Sequence, residues 1–305
     1  MSFAGGRGEV LAVEPISSGL NNQRLALLGL FEIAREREAA VRLPRELVDW
    51  TPVPRDPGTP PQHPSVPIWD VLDEVAFMAA VRLCPLSSDT PTETLTMQEC
   101  FRRGAHASRQ ARPGSFAERF ILGFRAARPL RDIADHITDF LKEHDAFTLQ
   151  LRIERDWREY ILRKTGTLEA VTDDEQLTVD PAVIFAKCAA TPELAKFKAI
   201  WACCDEDDLT QPKAEIKAAG RDRGYEILFK TDLPATVELP TSRLQRSMID
   251  FEVCLSAPAY VGLGRSTFSN TLDFIAQAKG DRRSQFRYDL PSDRCESRAP
   301  APVNA

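Results

Sequence analysis

Residues 9–34 read E-V-L-A-V-E-P-I-S-S-G-L-N-N-Q-R-L-A-L-L-G-L-F-E-I-A, and this stretch decides the fold. The opening E-V-L-A-V-E is a short apolar-rich run suited to a buried strand. After the polar turn around S-S-G-L-N-N-Q-R, Leu27, Leu30, Phe31 and Ala34 recur at i, i+3, i+4 and i+7, one face of a helix. The charged Arg35–Glu38 ends that helix, and A-A-V-R-L at 39–43, closed by Pro44, predicts a second strand. Strand, loop, helix and strand in succession form the unit of a parallel sheet. Asn21, Asn22 and Gln23, following Gly19, raise a choice: one asparagine caps the helix, or the amides serve a ligand.

The same rhythm runs through the rest of the chain. Seven prolines between Asp49 and Pro67 mark a long irregular loop. Residues 70–83, 116–125 and 130–142 read as helices, 86–115 as polar and poorly periodic, and F-T-L-Q-L-R-I at 147–153 as a central strand. Strand and helix then alternate: F-K-A-I-W-A-C-C, a helix over 212–220, Y-E-I-L-F-K at 225–230, a helix near 244–255, a strand at 259–262 and a helix opening at Ser266. This predicts an α/β chain of two Rossmann-like domains facing a central cleft, the usual place for a ligand. The expected limits are 1–160 for an N-terminal acceptor-side domain, 161–285 for a C-terminal donor-side domain and 286–305 for a flexible tail.

Composition narrows the class. The chain has 305 residues, 43% hydrophobic and 28% charged, which suits a folded globule and argues against global disorder. A net charge of −6 with intermixed signs disfavours a nucleic-acid partner. No run approaches the ~20 apolar residues of a membrane span, and the start lacks a secretory signal pattern, so the expected location is cytoplasmic. The seven cysteines lack C-x-x-C spacing, which predicts buried free thiols and no metal site. The acidic run D-E-D-D at 205–208 reads as a solvated loop or helix start. No G-x-G-x-x-G follows the first strand, which disfavours a Rossmann dehydrogenase.

Two further stretches carry chemistry. In L-Q-L-R-I-E-R-D-W at 149–157, Arg152 follows Gln150 by two positions, on the same face of the strand and near its end. Its planar fork suits a pyrophosphate; the competing reading is a salt bridge among Arg152, Glu154, Arg155 and Asp156. In M-I-D-F-E-V-C-L-S-A-P-A-Y-V-G-L-G-R-S-T-F-S at 248–269, a strand runs through glycines into a helix opening with Ser266 and Thr267. Glycines let backbone amides approach a ligand, and a helix N-terminus favours phosphate. The same hydroxyls can equally cap the helix.

Taken in order, S-G-L-N-N-Q-R, Q-L-R-I-E-R-D-W and the block from Asp250 to Ser269 resemble the O-fucosyltransferase family of GDP-fucose-dependent enzymes. The resemblance touches about a quarter of the chain. It implies a GT-B-like fold, no metal or other cofactor, and GDP-fucose as donor to a glycan, protein or small-molecule acceptor. It implies that Arg152 grips the β-phosphate, that Asn22 faces the donor phosphates or the reacting sugar, and that Asp250 is associated with guanine recognition. Ser266, Thr267 and Phe268 match the segment holding the pyrophosphate, with Gly19, Asn21, Gln23 and Gln150 as further donor-side residues. Gln150 stands where the family has histidine. The family is characteristic of the secretory pathway. Other readings are a transferase for another nucleotide sugar and a GDP-binding protein without turnover.

Overall fold

The fold is described from a computed structural model covering residues 8–15, 18–49, 64–172, 174–281 and 284–297. Ile16, Ser17, residues 50–63 of the proline-rich stretch and the terminal 298–305 lie outside the described residues. The chain divides into two units, Met1–Leu130 with Pro240–Met248, and Arg131–Leu239 with Ile249–Ala305.

The first unit is built on the predicted strand–helix–strand. It contains β1 (Val10–Val13), α1 (Leu20–Arg37), β2 (Ala40–Val41), β3 (Glu46–Val48), β4 (Ser65–Pro67), α2 (Ile68–Val71), α3 (Glu74–Val81), β5 (Glu93–Leu95), α4 (Met97–Arg109) and α5 (Phe116–Gly123). A parallel three-stranded sheet has the order β2-β1-β5, while β3 and β4 pair antiparallel. Helix α1 is buried from Leu25 through Phe31 without a wet face, as expected of a helix enclosed on several sides. On one side α4 crosses it at backbone contact. A Cβ on Gly29 would lie 1.8 Å from the Cys100 carbonyl oxygen, and one on Gly104 1.8 Å from that of Leu25. On another side Phe31 joins Phe77, Phe116 and Phe120, with ring centroids 5.6–6.2 Å apart.

The second unit contains α6 (Arg128–Glu143, which begins just before the boundary), β6 (Ala146–Gln150), α7 (Arg155–Thr165), β7 (Ala170–Val171), β8 (Gln176–Leu177), α8 (Pro181–Ala189), α9 (Pro192–Ala195), β9 (Ala199–Cys203), α10 (Lys213–Arg221), β10 (Glu226–Leu228), the C-terminal half of α11 (Arg243–Ser256), β11 (Ala259–Gly262), α12 (Thr267–Ala278), β12 (Ser284–Arg287) and β13 (Glu296–Ser297). Its six-stranded sheet has the order β10-β9-β6-β11-β12-β13, with β13 alone antiparallel. Counted within the unit, the parallel strands run 3-2-1-4-5, the Rossmann order. The order reverses between β6 and β11. Ligands of open α/β sheets bind beyond the carboxyl ends of the two strands flanking that reversal.

Three expectations are corrected. Residues 86–115 hold β5 and α4 and not an irregular stretch. The buried positions of α4 are Cys100 and Gly104, small groups that leave no hydrophobic stripe, and Thr96 starts it by accepting from the Glu99 N–H at 3.2 Å. The boundary falls at Leu130, not 160, because β6 pairs with β9 and β11 and so belongs with the second unit. The described part of the supposed tail contributes to the core: Phe286, Tyr288 and Cys295 are each 1–2% exposed. Basic neighbours masked their F-x-Y alternation. All seven cysteines are buried free thiols, and no helix among the described residues is long and apolar enough to cross a membrane.

Candidate functional site

Gln150 is the last residue of β6, and Gly262 the last of β11, on either side of the switch point. The Gln150 amide spans it. Its Nε2 donates to Ser266 Oγ at 3.0 Å, while its Oε1 accepts from Ser269 Oγ at 2.7 Å and from the Tyr260 hydroxyl at 3.3 Å. Ser269 Oγ also accepts from the Leu263 N–H at 3.1 Å and lies 2.7 Å from the Tyr260 hydroxyl. The network leaves no room for a side chain at 262, where a Cβ would meet Ser269 Oγ and the Tyr260 hydroxyl at 2.3 Å each. Ser266 is the N-cap of α12 by position but makes no capping side-chain bond to the helix, since its hydroxyl accepts from Gln150. The start of α12 is therefore docked onto the end of β6 by a satisfied polar network. Thr267 begins the helix, and the Phe268 ring packs edge-on against Phe251, centroids 5.2 Å apart.

Arg152 follows two residues beyond β6. Its Nη2 donates to Asp156 Oδ2 at 2.8 Å, its Nη1 lies 3.6 Å from Glu154 Oε1, and its guanidinium stands 5.5 Å from the centroid of the Trp157 ring. The expected salt bridge thus exists, yet 27% of the Arg152 side chain remains exposed. Burial works against its charge, but Glu154 and then Asp156 more than offset that and push its pKa above the ordinary value. Glu154 is only 2% exposed, and burial, opposed by Arg152, lifts its pKa to about 7. One of its oxygens accepts from the Asp205 N–H at 3.1 Å.

The acidic run at 205–208 starts a short 3-10 turn, as expected of a helix start, and Asp207 is exposed, but two of its carboxylates are drawn inward. The Glu206 side chain is 4% exposed, accepts from Lys213 Nζ at 2.5 Å and from the Lys230 N–H at 2.6 Å; Asp208 is also buried, 3.8 Å from Arg155 Nε. Asp250 is drawn into the same region: its Oδ2 accepts at 2.6 Å from Lys230 Nζ, which also donates to the Cys204 carbonyl at 2.9 Å. Burial raises the Asp250 pKa against the pull of Lys230. Among the described residues, no group of three or more His, Cys, Asp or Glu converges as for a metal ion.

The glycine turn differs from the expected open anion cradle. The Gly264 N–H donates to both carboxylate oxygens of Asp289, at 2.9 and 2.8 Å. Arg265 pairs with Glu175, which also accepts from Lys164 at 2.8 Å. Tyr288 and Asp289, absent from the sequence-based set, were discoverable only through the Phe286–Tyr288 alternation.

The remaining expected residues lie in the first unit. The N-cap of α1 is Gly19, not an asparagine, so Asn21 and Asn22 occupy the first turn. Gly19 has φ −59°, and a Cβ there would meet nothing within 4 Å, so neither strain nor crowding requires the glycine. Asn22 Nδ2 donates to Ser18 Oγ at 2.9 Å. Gln23, fully buried, donates from Nε2 to the carbonyls of Ser18 at 2.6 Å and Val48 at 2.9 Å. Asn21 is 3% exposed.

No protein-family model matches the sequence, and no curated protein matches it. Solved structures do match in three dimensions. POFUT1 in complex with GDP aligns over 92% of this chain and 98% of that one, with a TM-score of 0.55 and 13% identity. POFUT1 in complex with GDP-fucose covers 94% and 99% at TM-score 0.56 and 12% identity, and apo POFUT1 covers 95% and 100% with the same two values. At such identities the likeness is one of fold, and that fold is the α/β, GT-B-like one the sequence predicts.

Proposed function

We propose that the protein is a glycosyltransferase that moves fucose from GDP-fucose to a hydroxyl acceptor, with inversion and without a metal. The observation that carries this reading is the position of Arg152: charged, partly exposed, and just past the strand end at the switch point, two residues beyond Gln150, whose amide holds the start of α12. The motif resemblance and the fold shared with POFUT1, which has been solved with GDP-fucose, support it.

The chemistry asks little else of the chain. The bond between the sugar carbon and the diphosphate oxygen breaks, the acceptor oxygen bonds that carbon, and the acceptor proton is released. Negative charge gathers on the departing GDP, and fixed donors aimed at it lower the barrier. Arg152 exchanges its carboxylate partners for the diphosphate, one charge-assisted contact for another. Ser266, Thr267 and Phe268 serve the same phosphates from the start of α12. Asn22 attends the reacting sugar, and Asp250, oriented by Lys230, attends the guanine. A dissociative transition state reduces the need for a base.

Calorimetry with GDP, GDP-fucose and UDP-sugars tests the donor class. GDP and GDP-fucose are expected to bind and UDP-sugars not. Arg152→Ala is expected to lose GDP affinity and the slow hydrolysis of GDP-fucose while keeping its fold. Binding of no nucleotide would overturn the reading. The second reading, a GDP-binding protein without turnover, is favoured by one feature: Gln150 replaces the family histidine, and both polar ends of its amide are already engaged. GDP binding with no hydrolysis or transfer would establish that alternative.

A further inference from the structure

Resting on that nucleotide-sugar reading, we propose that Tyr288 and Asp289 are positioning residues of the donor site. Adjacent in the chain, they brace the two loops between which the switch point opens. The Tyr288 hydroxyl, on a residue 1% exposed, accepts from the Arg152 N–H at 3.3 Å. Asp289, 3% exposed, accepts from the Gly264 N–H with both carboxylate oxygens. One side chain thus holds the backbone carrying the phosphate-gripping arginine. The next holds the turn that delivers Ser266 and Thr267.

The brace is itself held. The Tyr288 N–H donates to the Gly262 carbonyl at 3.2 Å, extending the ladder between β11 and β12 by one bond. The Gln176 N–H donates to the Asp289 carbonyl at 2.8 Å. The buried ammonium of Lys187 donates to the carbonyls of Tyr288 at 2.8 Å and Leu290 at 2.6 Å. A buried lysine on backbone carbonyls is a costly arrangement; it fixes the peptide plane before Asp289, and the Gln176 N–H fixes the one after it. Farther along, the Cys295 N–H donates to Thr191 Oγ1 at 2.9 Å and ties the segment to the N-cap of α9.

This arrangement also assigns the glycines. The Gly264 N–H is taken by a resident carboxylate, so a diphosphate is directed to Arg152 and the Ser266–Phe268 segment. Asp289 stands where an anion would otherwise sit, holds the turn in its bound shape, and makes no contact with the nucleotide.

The test is GDP calorimetry on the full chain, with thermal unfolding alongside. Asp289→Ala is expected to weaken GDP binding about tenfold, the equivalent of ~1.4 kcal/mol. Asp289→Asn keeps one oxygen for the Gly264 N–H and is expected to stay within about threefold of the parent. Tyr288→Phe, which removes one oxygen and keeps the packing, is expected to weaken binding about threefold. A merely structural role would lower the unfolding temperature and leave the affinity of the folded protein unchanged. If Arg152→Ala loses GDP while Asp289→Ala and Tyr288→Phe bind it like the parent, the brace is wrong and the donor site stands. If the parent itself binds no GDP, the functional reading fails and the brace with it. Should Asp289→Ala not fold, the Asn and Phe variants decide: Asn tenfold weaker or more (about 1.4 kcal/mol) or Phe unchanged would each overturn the proposal.

Discussion

Two turns that lead from a strand into a helix use polar side chains to opposite ends. Between β1 and α1, Gln23 donates to two backbone carbonyls and Asn22 to a serine hydroxyl, all neutral partners. Around β6 and the turn from β11 into α12, a neutral network is flanked by charge: Arg152 with Glu154 and Asp156, and Asp289 beneath the glycine turn. The units differ in the same sense. Burial raises the pKa of Glu154, Asp208, Asp250 and Asp289 in the second unit, whereas in the first the groups it is shown to raise are the thiols of Cys84 and Cys100. Displaced carboxyls concentrate where chemistry is done. The first turn ties backbone to backbone; the second holds charge close to where a ligand would arrive.

The largest expected effect breaks the first side of this comparison by steric means alone. If the first unit depends on close packing around α1, Gly104→Ala must drive a methyl into the Leu25 carbonyl, 1.8 Å from an ideal Cβ. The obstacle is backbone on a helix buried from several sides, so little can give way. Thermal and denaturant unfolding should report a loss of about 3 kcal/mol or more. Gly29→Ala, against the Cys100 carbonyl, should match it. A change under about 1 kcal/mol in both would mean that α1 and α4 are not in backbone contact.

Next in size is a pH effect confined to the second unit. Glu154 holds its proton up to about pH 7 in the folded chain, against an ordinary 4.5. The folded state therefore binds that proton more tightly than the unfolded chain does. Its contribution to stability is fully present below pH 4.5 and is lost as pH rises through 7, on the order of a few kcal/mol at ~1.4 kcal/mol per pH unit. Asp208, Asp250 and Asp289, raised by burial, act in the same sense, while Glu206, whose pKa is lowered, opposes them. Glu154→Gln keeps an oxygen to accept from the Asp205 N–H and removes the titration. Its denaturant midpoint should depend less on pH between 4.5 and 7 than that of the parent. Parallel pH curves for the two proteins would show that Glu154 is not held neutral.

Part of this contrast is legible in the residues and part is not. Strand runs such as A-I-W-A-C and A-Y-V-G declare themselves because parallel strands buried on both faces are continuously apolar. The placement of Gln150, Arg152 and Ser266 at strand and helix ends by the switch point is legible because the turn chemistry at strand ends is local. Helix α4 was hidden because its contact face is Cys100 and Gly104, where closeness of backbone replaces hydrophobic bulk. Tyr288 and Asp289 were hidden for another reason. Their roles depend on partners 136 and 25 residues away, at Arg152 and Gly264. The burial of Glu206 within the acidic run was hidden because its cations, Lys213 and Lys230, come from later elements.

The smallest expected effect sharpens the comparison at Asn22, where the two uses of a polar turn meet. Its amide donates to Ser18 Oγ, a partly buried bond across four residues, and losing such a bond costs about 1 kcal/mol. Asn22→Ala should therefore lower the unfolding temperature only slightly, whichever role the residue has. Kinetics separate the roles. A side chain that attends the reacting sugar matters to transfer and not to GDP, which lacks the transferred fucose. Asn22→Ala should then bind GDP like the parent and lose turnover by about a hundredfold, the range over which single transition-state hydrogen bonds act. Retained turnover alongside the small stability loss would make Asn22 a turn-closing residue like Gln23. The first turn would then be wholly structural, with all the chemistry left to the second unit.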